Sequence, residues 1–139
     1  MVADNDKFEL LAEKYAVVLD DIEKWQKVAT DNLAYYGCDQ IVYFENKNII
    51  IEAYQSNNIQ TPDIVLLDVN LNSQTIQNKE GLEVSRFFKK NFLNTTIILM
   101  SSLENITEEA ERNGANFIIQ KKNFIQDFDA FVQQYTQSP

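Results

Sequence analysis

The stretch Ile64-Val65-Leu66-Leu67-Asp68 decides the fold, because four apolar residues in a row lead directly to one carboxylate. A strand buried on both faces of a parallel sheet has such a continuous apolar run, whereas a half-exposed strand alternates. The run therefore predicts a buried parallel strand that delivers Asp68 to the carboxyl edge of the sheet. Open α/β sheets bind their ligands at that edge, so Asp68 is the first candidate for a functional residue.

Two other strand-like runs also end on polar residues. The run Tyr15–Leu19 is followed by Asp20 and Asp21. The run 97–100 is followed by Ser101. Because the carboxyl ends of parallel strands share one edge of the sheet, we expect these three ends to form a single site.

Strand-like and helix-like segments alternate along the chain. We predict strands at 15–19, 40–44, 64–68, 95–100 and 117–119, and helices at about 22–36, 46–57, 82–92, 107–112 and 124–135. This alternation predicts an α/β fold with a doubly wound, five-stranded parallel sheet, right-handed crossovers and strands buried on both faces. Residues 1–14 lie outside the pattern, and we expect them to be an N-terminal arm or an extra helical turn before a domain spanning 15–137.

Length and charge exclude several classes of function. With 139 residues, 45% of them hydrophobic, the chain is expected to fill one core and form one domain. Its net charge of -9 argues against nucleic acid or an anionic membrane as a direct partner. The apolar runs are too short to span a bilayer and the N-terminus has no basic, apolar leader, so we expect a cytoplasmic protein.

The residues that the chain lacks limit its chemistry further. It has no histidine and one cysteine, Cys38, which argues against a structural zinc site, an internal disulfide and a Ser-His-Asp triad. The three glycines, Gly37, Gly81 and Gly114, do not form a dinucleotide fingerprint or a P-loop. The remaining carboxylates, hydroxyls and lysines favour a hard divalent cation bound through oxygen.

Taken singly, each candidate residue also has a simpler structural interpretation. An Asp pair after a strand often caps the next helix, and a serine hydroxyl such as that of Ser101 often bonds to nearby backbone. Lys121 beside Lys122 is commonly a solvated pair. Trp25 lies one helical turn after Asp21 on an apolar face, where a core role is expected.

Together and in order, these residues resemble a known active site. Asp20-Asp21, Asp68, Ser101 and Lys121 follow the first, third, fourth and fifth predicted strands, and Gly114-Ala115 precedes the lysine, as in response-regulator receiver domains. The resemblance covers residues 15–137 and implies the flavodoxin-like (βα)5 receiver fold.

The resemblance also implies roles for these residues. Asp68 would be the phosphoacceptor, with Lys121 and Ser101 contacting the phosphoryl group. Mg²⁺, or Mn²⁺, would be held by Asp20, Asp21, Asp68 and the backbone carbonyl of Asn70. The chain would catalyse its own phosphorylation and slow dephosphorylation without being a turnover enzyme.

The partners are implied in the same way. A sensor histidine kinase or a histidine phosphotransfer protein would supply the phosphoryl group, because the chain has no histidine of its own. Phosphorylation would change a surface that binds a downstream protein target. The chain would be a stand-alone regulator, a phosphorelay intermediate or a receiver excised from a longer protein.

Three departures from the family pattern bear on switching. Ile118 stands where an aromatic residue usually accompanies the movement of the Ser or Thr, so the switch formed by Ser101 and Ile118 is expected to be atypical. Phe117 is expected to point to the opposite face of the strand. Lys122 replaces a proline that is often cis, so we expect a trans peptide bond there. The loop between Asp68 and Gly81 is longer than usual, and its polar residues 72–78 are expected to be a mobile surface loop beside the site.

Two other functions share part of this residue pattern. A pseudo-receiver, which keeps the fold but switches without phosphate, fits the atypical Ile118 and Lys122, whereas the complete acidic set argues against it. A phosphatase of the haloacid-dehalogenase type needs a second Asp two residues after the first. That position is Asn70, so the general acid of such an enzyme is missing.

Overall fold

The computed structural model describes residues 8–56, 59–70 and 79–137, and in these ranges five strands alternate with five helices. The elements are β1 (Tyr15–Leu19), α1 (Glu23–Tyr35), β2 (Gln40–Phe44), α2 (Lys47–Gln55), β3 (Ile64–Asp68), α3 (Glu80–Asn91), β4 (Thr96–Ser101), α4 (Thr107–Arg112), β5 (Phe117–Gln120), a 3₁₀ turn (Lys121–Asn123) and α5 (Phe124–Gln137).

All neighbouring strands are parallel, and their order in the sheet is β2-β1-β3-β4-β5. The predicted doubly wound parallel sheet is therefore confirmed. The register places Leu19 beside Leu67 and Ser101 beside Gln120. The carboxyl ends of β1, β3, β4 and β5 consequently meet at one edge.

The sheet separates two apolar cores. The first core contains Leu33 of α1 and Phe131 of α5. The second contains Tyr54 of α2 and Phe88 of α3. Residues of a strand alternate between the two cores because side chains alternate across a pleated sheet, as Val17 and Val18 of β1 and Leu66 and Leu67 of β3 illustrate.

Burial follows the position of each strand in the sheet. Every residue of β1 and β3 is buried, as their continuous apolar runs predicted. The prediction that every strand is buried on both faces is wrong for β2. Its residues are all partly or largely exposed, and Tyr43 is 56% exposed. In the described part of the chain β2 pairs with β1 alone, so it is an edge strand and its apolar side chains are covered incompletely.

The segment before β1 packs onto the domain. Residues 8–13 form turns, and Leu11 is fully buried, with its backbone N–H donated to the Tyr36 carbonyl at 2.8 Å. Gly37 has a φ of +90°, and a Cβ there would lie 2.6 Å from the carbonyl oxygen of Phe8. The end of α1 is therefore shaped to accept this segment.

Some element ends differ from the predicted ones. Helix α2 ends at Gln55 rather than at 57, a position outside the described residues. Strands β4 and β5 each extend one residue further than predicted, because Ser101 and Gln120 continue the pairing of the two strands. Among the described residues, no helix has both the length and the apolar character that crossing a membrane requires.

Candidate functional site

Two buried carboxylates lie at the carboxyl edge of neighbouring strands. Asp20 directly follows β1 and Asp68 ends β3, and their exposed fractions are 0% and 2%. The backbone N–H of Asp20 donates to the Phe44 carbonyl at 3.1 Å, which continues the pairing of β1 with β2. The N–H of Val69 donates to the Met100 carbonyl at 3.0 Å. Backbone hydrogen bonds thus fix the chain at or directly after each carboxylate.

Asp21 adds a third carboxylate on the exposed side. Asp20, Asp21 and Asp68 each offer one oxygen, and these three oxygens lie within 4.8 Å of one another. The predicted acidic cluster is therefore present in the structure.

The helix-cap interpretation of the Asp pair is wrong, because the N-cap residue of α1 is Ile22 and this helix has no side-chain cap. The Oδ1 of Asp20 instead accepts the backbone N–H of Ile22 at 2.9 Å, just before α1. Its backbone carbonyl accepts the side-chain amide of Gln26 at 2.7 Å. These two bonds hold Asp20 against α1 and leave Oδ2 for the site.

Lys121 lies inside the cluster. Its Nζ is 3.1 Å from Oδ1 of Asp68 and 3.2 Å from Oδ2 of Asp20, and the residue is only 8% exposed. The solvated-pair interpretation is therefore wrong for Lys121. It holds for Lys122, which is exposed and pairs with Glu104 at 2.8 Å.

The charges of the cluster are not balanced. Three carboxylates face one ammonium, and Oδ2 of Asp68 is buried with no hydrogen-bond partner among the described residues. Oδ2 of Asp20 likewise has no hydrogen bond there, so its contact with Lys121 is an ion pair without hydrogen-bond geometry. Buried oxygens without donors are costly, and a hard cation with oxygen ligands would satisfy them. The residues present therefore fit Mg²⁺ or Mn²⁺.

Burial changes the protonation of these carboxyls. It raises the pKa of Asp68 to about 7, and the negative charge of Asp20 adds to this shift while Lys121 opposes it. Burial also raises the pKa of Asp20, again opposed by Lys121, and raises that of Asp21. A bound cation would favour the ionised forms. Charge balance, rather than position alone, thus decides whether Asp68 carries a negative charge at neutral pH.

Ser101 lies at the same edge as the last residue of β4. Its Oγ accepts the backbone N–H of Leu103 at 2.8 Å and lies 3.4 Å from the Leu103 carbonyl oxygen. The local backbone bond expected of a lone serine is therefore present. The Leu103 carbonyl also accepts Nε2 of Gln120 at 3.2 Å. Gln120 was not singled out from the sequence, although it directly precedes Lys121.

Strand β5 carries the atypical switch position Ile118, and its side chains alternate between the two faces of the sheet as predicted. Ile118 packs against the core of α2 and α3, and Phe117 packs in the other core, with its ring 5.0 Å from that of Phe131. The described residues contain no cis peptide bond, which confirms the trans bond before Lys122. The loop at 72–78 lies outside the described residues, and the role of the Asn70 carbonyl stays a prediction.

No model of a protein family and no curated protein matches the chain. Solved structures do match. The BeF3-activated DrrB receiver domain is 20% identical with a TM-score of 0.70, covering 90% of this chain and 98% of that one. The receiver domain of NtrX from Brucella abortus is 19% identical with a TM-score of 0.70, covering 89% of this chain and 99% of that one. The receiver domain of the histidine kinase CKI1 from Arabidopsis thaliana, complexed with Mg²⁺ and BeF3⁻, is 21% identical with a TM-score of 0.62. That match covers 89% of this chain and 95% of the CKI1 domain. The chain thus has the receiver-domain fold.

Proposed function

We propose that this chain, which has the receiver fold, is a phosphoacceptor of two-component signalling. Asp68 would take a phosphoryl group from a phosphohistidine, and the modified site would change a surface that binds another protein. The observation that supports this most strongly is the environment of Asp68. It is a buried carboxylate at the ligand-binding edge of the sheet, with one oxygen 3.1 Å from the Lys121 ammonium and the other without a hydrogen-bond partner in the described part of the chain.

Asp68 is the nucleophile of this reaction. An oxygen of its ionised carboxylate forms a bond to phosphorus while the bond from phosphorus to the imidazole nitrogen breaks, and the imidazole leaves with that electron pair. The product is an acyl phosphate on Asp68. Because burial raises the pKa of Asp68 to about 7, the attacking form needs nearby positive charge at neutral pH.

Positive charge would come from two sources. Mg²⁺, or Mn²⁺, held by Asp20, Asp21, Asp68 and the carbonyl of Asn70, would neutralise oxygens of the phosphoryl group. The Lys121 ammonium, already 3.1 Å from Asp68, would pair with another oxygen of that group. Its present partners, Asp20 and Asp68, keep it at the reaction centre before phosphorylation.

Ser101 would respond to the modification. In the unmodified site its hydroxyl is bonded to Leu103. A hydrogen bond from Ser101 to a phosphoryl oxygen would compete with these contacts and release the loop that follows β4. Gln120 also bonds to the Leu103 carbonyl, so movement of this loop would change that contact as well.

The partner that donates phosphate must carry the histidine, because this chain has none. A sensor histidine kinase or a histidine phosphotransfer protein fits this requirement. We place the chain in the cytoplasm together with that partner. A site with one nucleophile and slow hydrolysis would make the chain a signalling component rather than a turnover enzyme.

Intact-mass measurement tests the proposal. The protein is incubated with acetyl phosphate or phosphoramidate, with Mg²⁺ or with EDTA, beside the Asp68→Asn variant. We expect one added phosphoryl group with Mg²⁺, none with EDTA, and none on Asp68→Asn.

Other outcomes would redirect the proposal. If Mg²⁺ binds but no phosphoryl group is added, a histidine kinase replaces the small-molecule donor. If a kinase also fails, or if Mg²⁺ does not bind, the phosphoacceptor function is wrong and the pseudo-receiver is favoured.

A further inference from the structure

Lys121 has a third neighbour besides its two carboxylates. Its Nζ lies 5.0 Å from the centre of the Trp25 indole, within the range of a cation–π contact. Trp25 is half-buried near the start of α1, and its ring also lies 6.2 Å from that of Phe124, the first residue of α5. The predicted core role of Trp25 thus describes only part of what the indole contacts.

We propose that Trp25 is a positioning residue for Lys121, holding its ammonium at the acidic cluster while the carboxylates change partners. This inference rests on the proposed function of Asp68. It goes beyond that function because it assigns a role to an aromatic side chain that would bind neither the metal nor the phosphoryl group.

The reason lies in which atoms hold Lys121. Its two carboxylate contacts use Oδ2 of Asp20 and Oδ1 of Asp68. A cation would compete for these groups, and phosphorylation would turn the Asp68 carboxylate into an acyl phosphate, whose negative charge lies on the phosphoryl oxygens instead. The contact with the indole uses none of these carboxylate atoms, so under this proposal it remains when they bind a cation or when Asp68 is phosphorylated.

Lys121 needs such a restraint. A lysine side chain is long and flexible, and its ammonium is strongly hydrated. An open surface pocket of about 370 Å³ adjoins Lys121, and Trp25 and Phe124 are among its other lining residues. Without the indole, the Lys121 side chain has space into which it can turn away from Asp68.

Helix α1 therefore ties two parts of the site together. Gln26 donates to the carbonyl of Asp20 at 2.7 Å, and the preceding Trp25 contacts Lys121. Two neighbouring residues of one helix thus fix a carboxylate and the ammonium relative to each other.

Matched variants test the role of the ring. Trp25→Phe keeps an aromatic face, and Trp25→Leu keeps apolar bulk without one. With acetyl phosphate and Mg²⁺, we expect Trp25→Leu to be phosphorylated about tenfold more slowly than wild type and Trp25→Phe to stay within about threefold. Denaturant unfolding of both variants identifies any general loss of stability. Equal rates for Trp25→Leu and wild type would overturn the proposal.

Fluorescence tests the contact without relying on phosphorylation. Trp25 is the one tryptophan of the chain, so its emission reports this site alone. We expect Lys121→Met to change the emission both in EDTA and in saturating Mg²⁺, because the indole contact survives metal binding. Lys27→Met is the control, since Lys27 lies on the same helix but is exposed and pairs with Asp31 at 3.0 Å, and its emission should match wild type. Emission of Lys121→Met that matches wild type in Mg²⁺ would refute the persistent contact.

The two arms separate the two proposals. If wild type takes no phosphoryl group from any donor, the phosphoacceptor function fails and the fluorescence still decides whether Trp25 holds Lys121. If wild type is phosphorylated but neither the rate nor the emission behaves as stated, the positioning role alone fails.

Discussion

At the scale of single residues, ionisation of Asp68 lowers the free energy of unfolding. Its pKa is about 7 in the folded protein, compared with the ordinary 3.8 of an aspartate. Between these two values the folded state binds more protons than the unfolded state. The free energy of unfolding therefore falls as the pH rises from about 4 to 7, and it stays low at higher pH. This sign is opposite to that of a salt-bridged surface carboxylate.

Replacing Asp68 with Asn should remove this loss of stability, because the amide is not ionised. In EDTA at pH 8, we expect Asp68→Asn to raise the free energy of unfolding by roughly 2 kcal/mol. Urea unfolding at pH 5 and pH 8 measures the effect, and the gain should be smaller at pH 5. Mg²⁺ should stabilise wild type more than the variant. A variant that is less stable than wild type at pH 8 in EDTA would contradict this account.

At the same scale, the sequence identified residues but not their contacts. Asp20, Asp21, Asp68 and Lys121 could be predicted because each follows a strand, and parallel strands end together. The contact of Trp25 with Lys121 and that of Gln120 with Leu103 could not, because both depend on how α1 and β5 pack against their neighbours. The hydroxyl of Ser101 fits two interpretations, and the unmodified structure shows the local one.

At the scale of elements, the first turn of α3 lies against the end of β3. Gly81 lies in the first turn of α3, and its N–H donates to the Val69 carbonyl at 3.0 Å. A Cβ at Gly81 would lie 1.9 Å from the carbonyl oxygen of Asp68. That oxygen is backbone and cannot move aside without displacing the end of β3. The start of one helix therefore constrains the position of the candidate nucleophile.

Gly81→Ala should consequently harm both stability and function. We expect a loss of about 3 kcal/mol in the free energy of unfolding, together with slower phosphorylation of Asp68. Gly114→Ala is the control, because Gly114 has a φ of +96° and a Cβ there would meet the Lys89 side chain. It should lose roughly 1–2 kcal/mol with an unchanged phosphorylation rate. Gly81→Ala with wild-type stability and rate would refute the constraint.

The sequence predicted the burial of a strand correctly where all its residues are buried. The apolar runs of β1 and β3 and the helical spacing of α1 and α5 predicted these elements closely. Strand β2 has an equally apolar sequence, but it lies at the edge, and strand order is set by crossovers that no local pattern reveals. The sequence does not predict the last residues of β4 and β5, because Ser101 and Gln120 are polar and become strand residues through their register with each other.

At the scale of the whole molecule, the fold class was predictable because alternation of strands and helices admits few arrangements. The course of residues 8–13 was not, since they carry no regular period and pack through Leu11 and the turn at Gly37. Long-range packing, rather than local propensity, decides such segments.

The division of the interior by the sheet has an energetic consequence. Phe88 lies in the core on the side of α2 and α3, and Phe131 lies in the core on the side of α1 and α5. Because the two side chains belong to separate clusters of buried residues in the described ranges, their substitutions should act independently. Phe88→Leu and Phe131→Leu should each cost about 1 kcal/mol of unfolding free energy, and the double variant should cost their sum within about 0.5 kcal/mol.

A pair within one core should behave differently. The rings of Phe128 and Phe131 are 5.6 Å apart in the same core, so the two corresponding Leu variants should be non-additive by more than about 0.5 kcal/mol. Chemical denaturation of both cycles measures this, and strong coupling between Phe88 and Phe131 would contradict it. The sheet thus divides the stability of this small protein into two nearly separate sums, so a sequence can change on one side of it without compensation on the other.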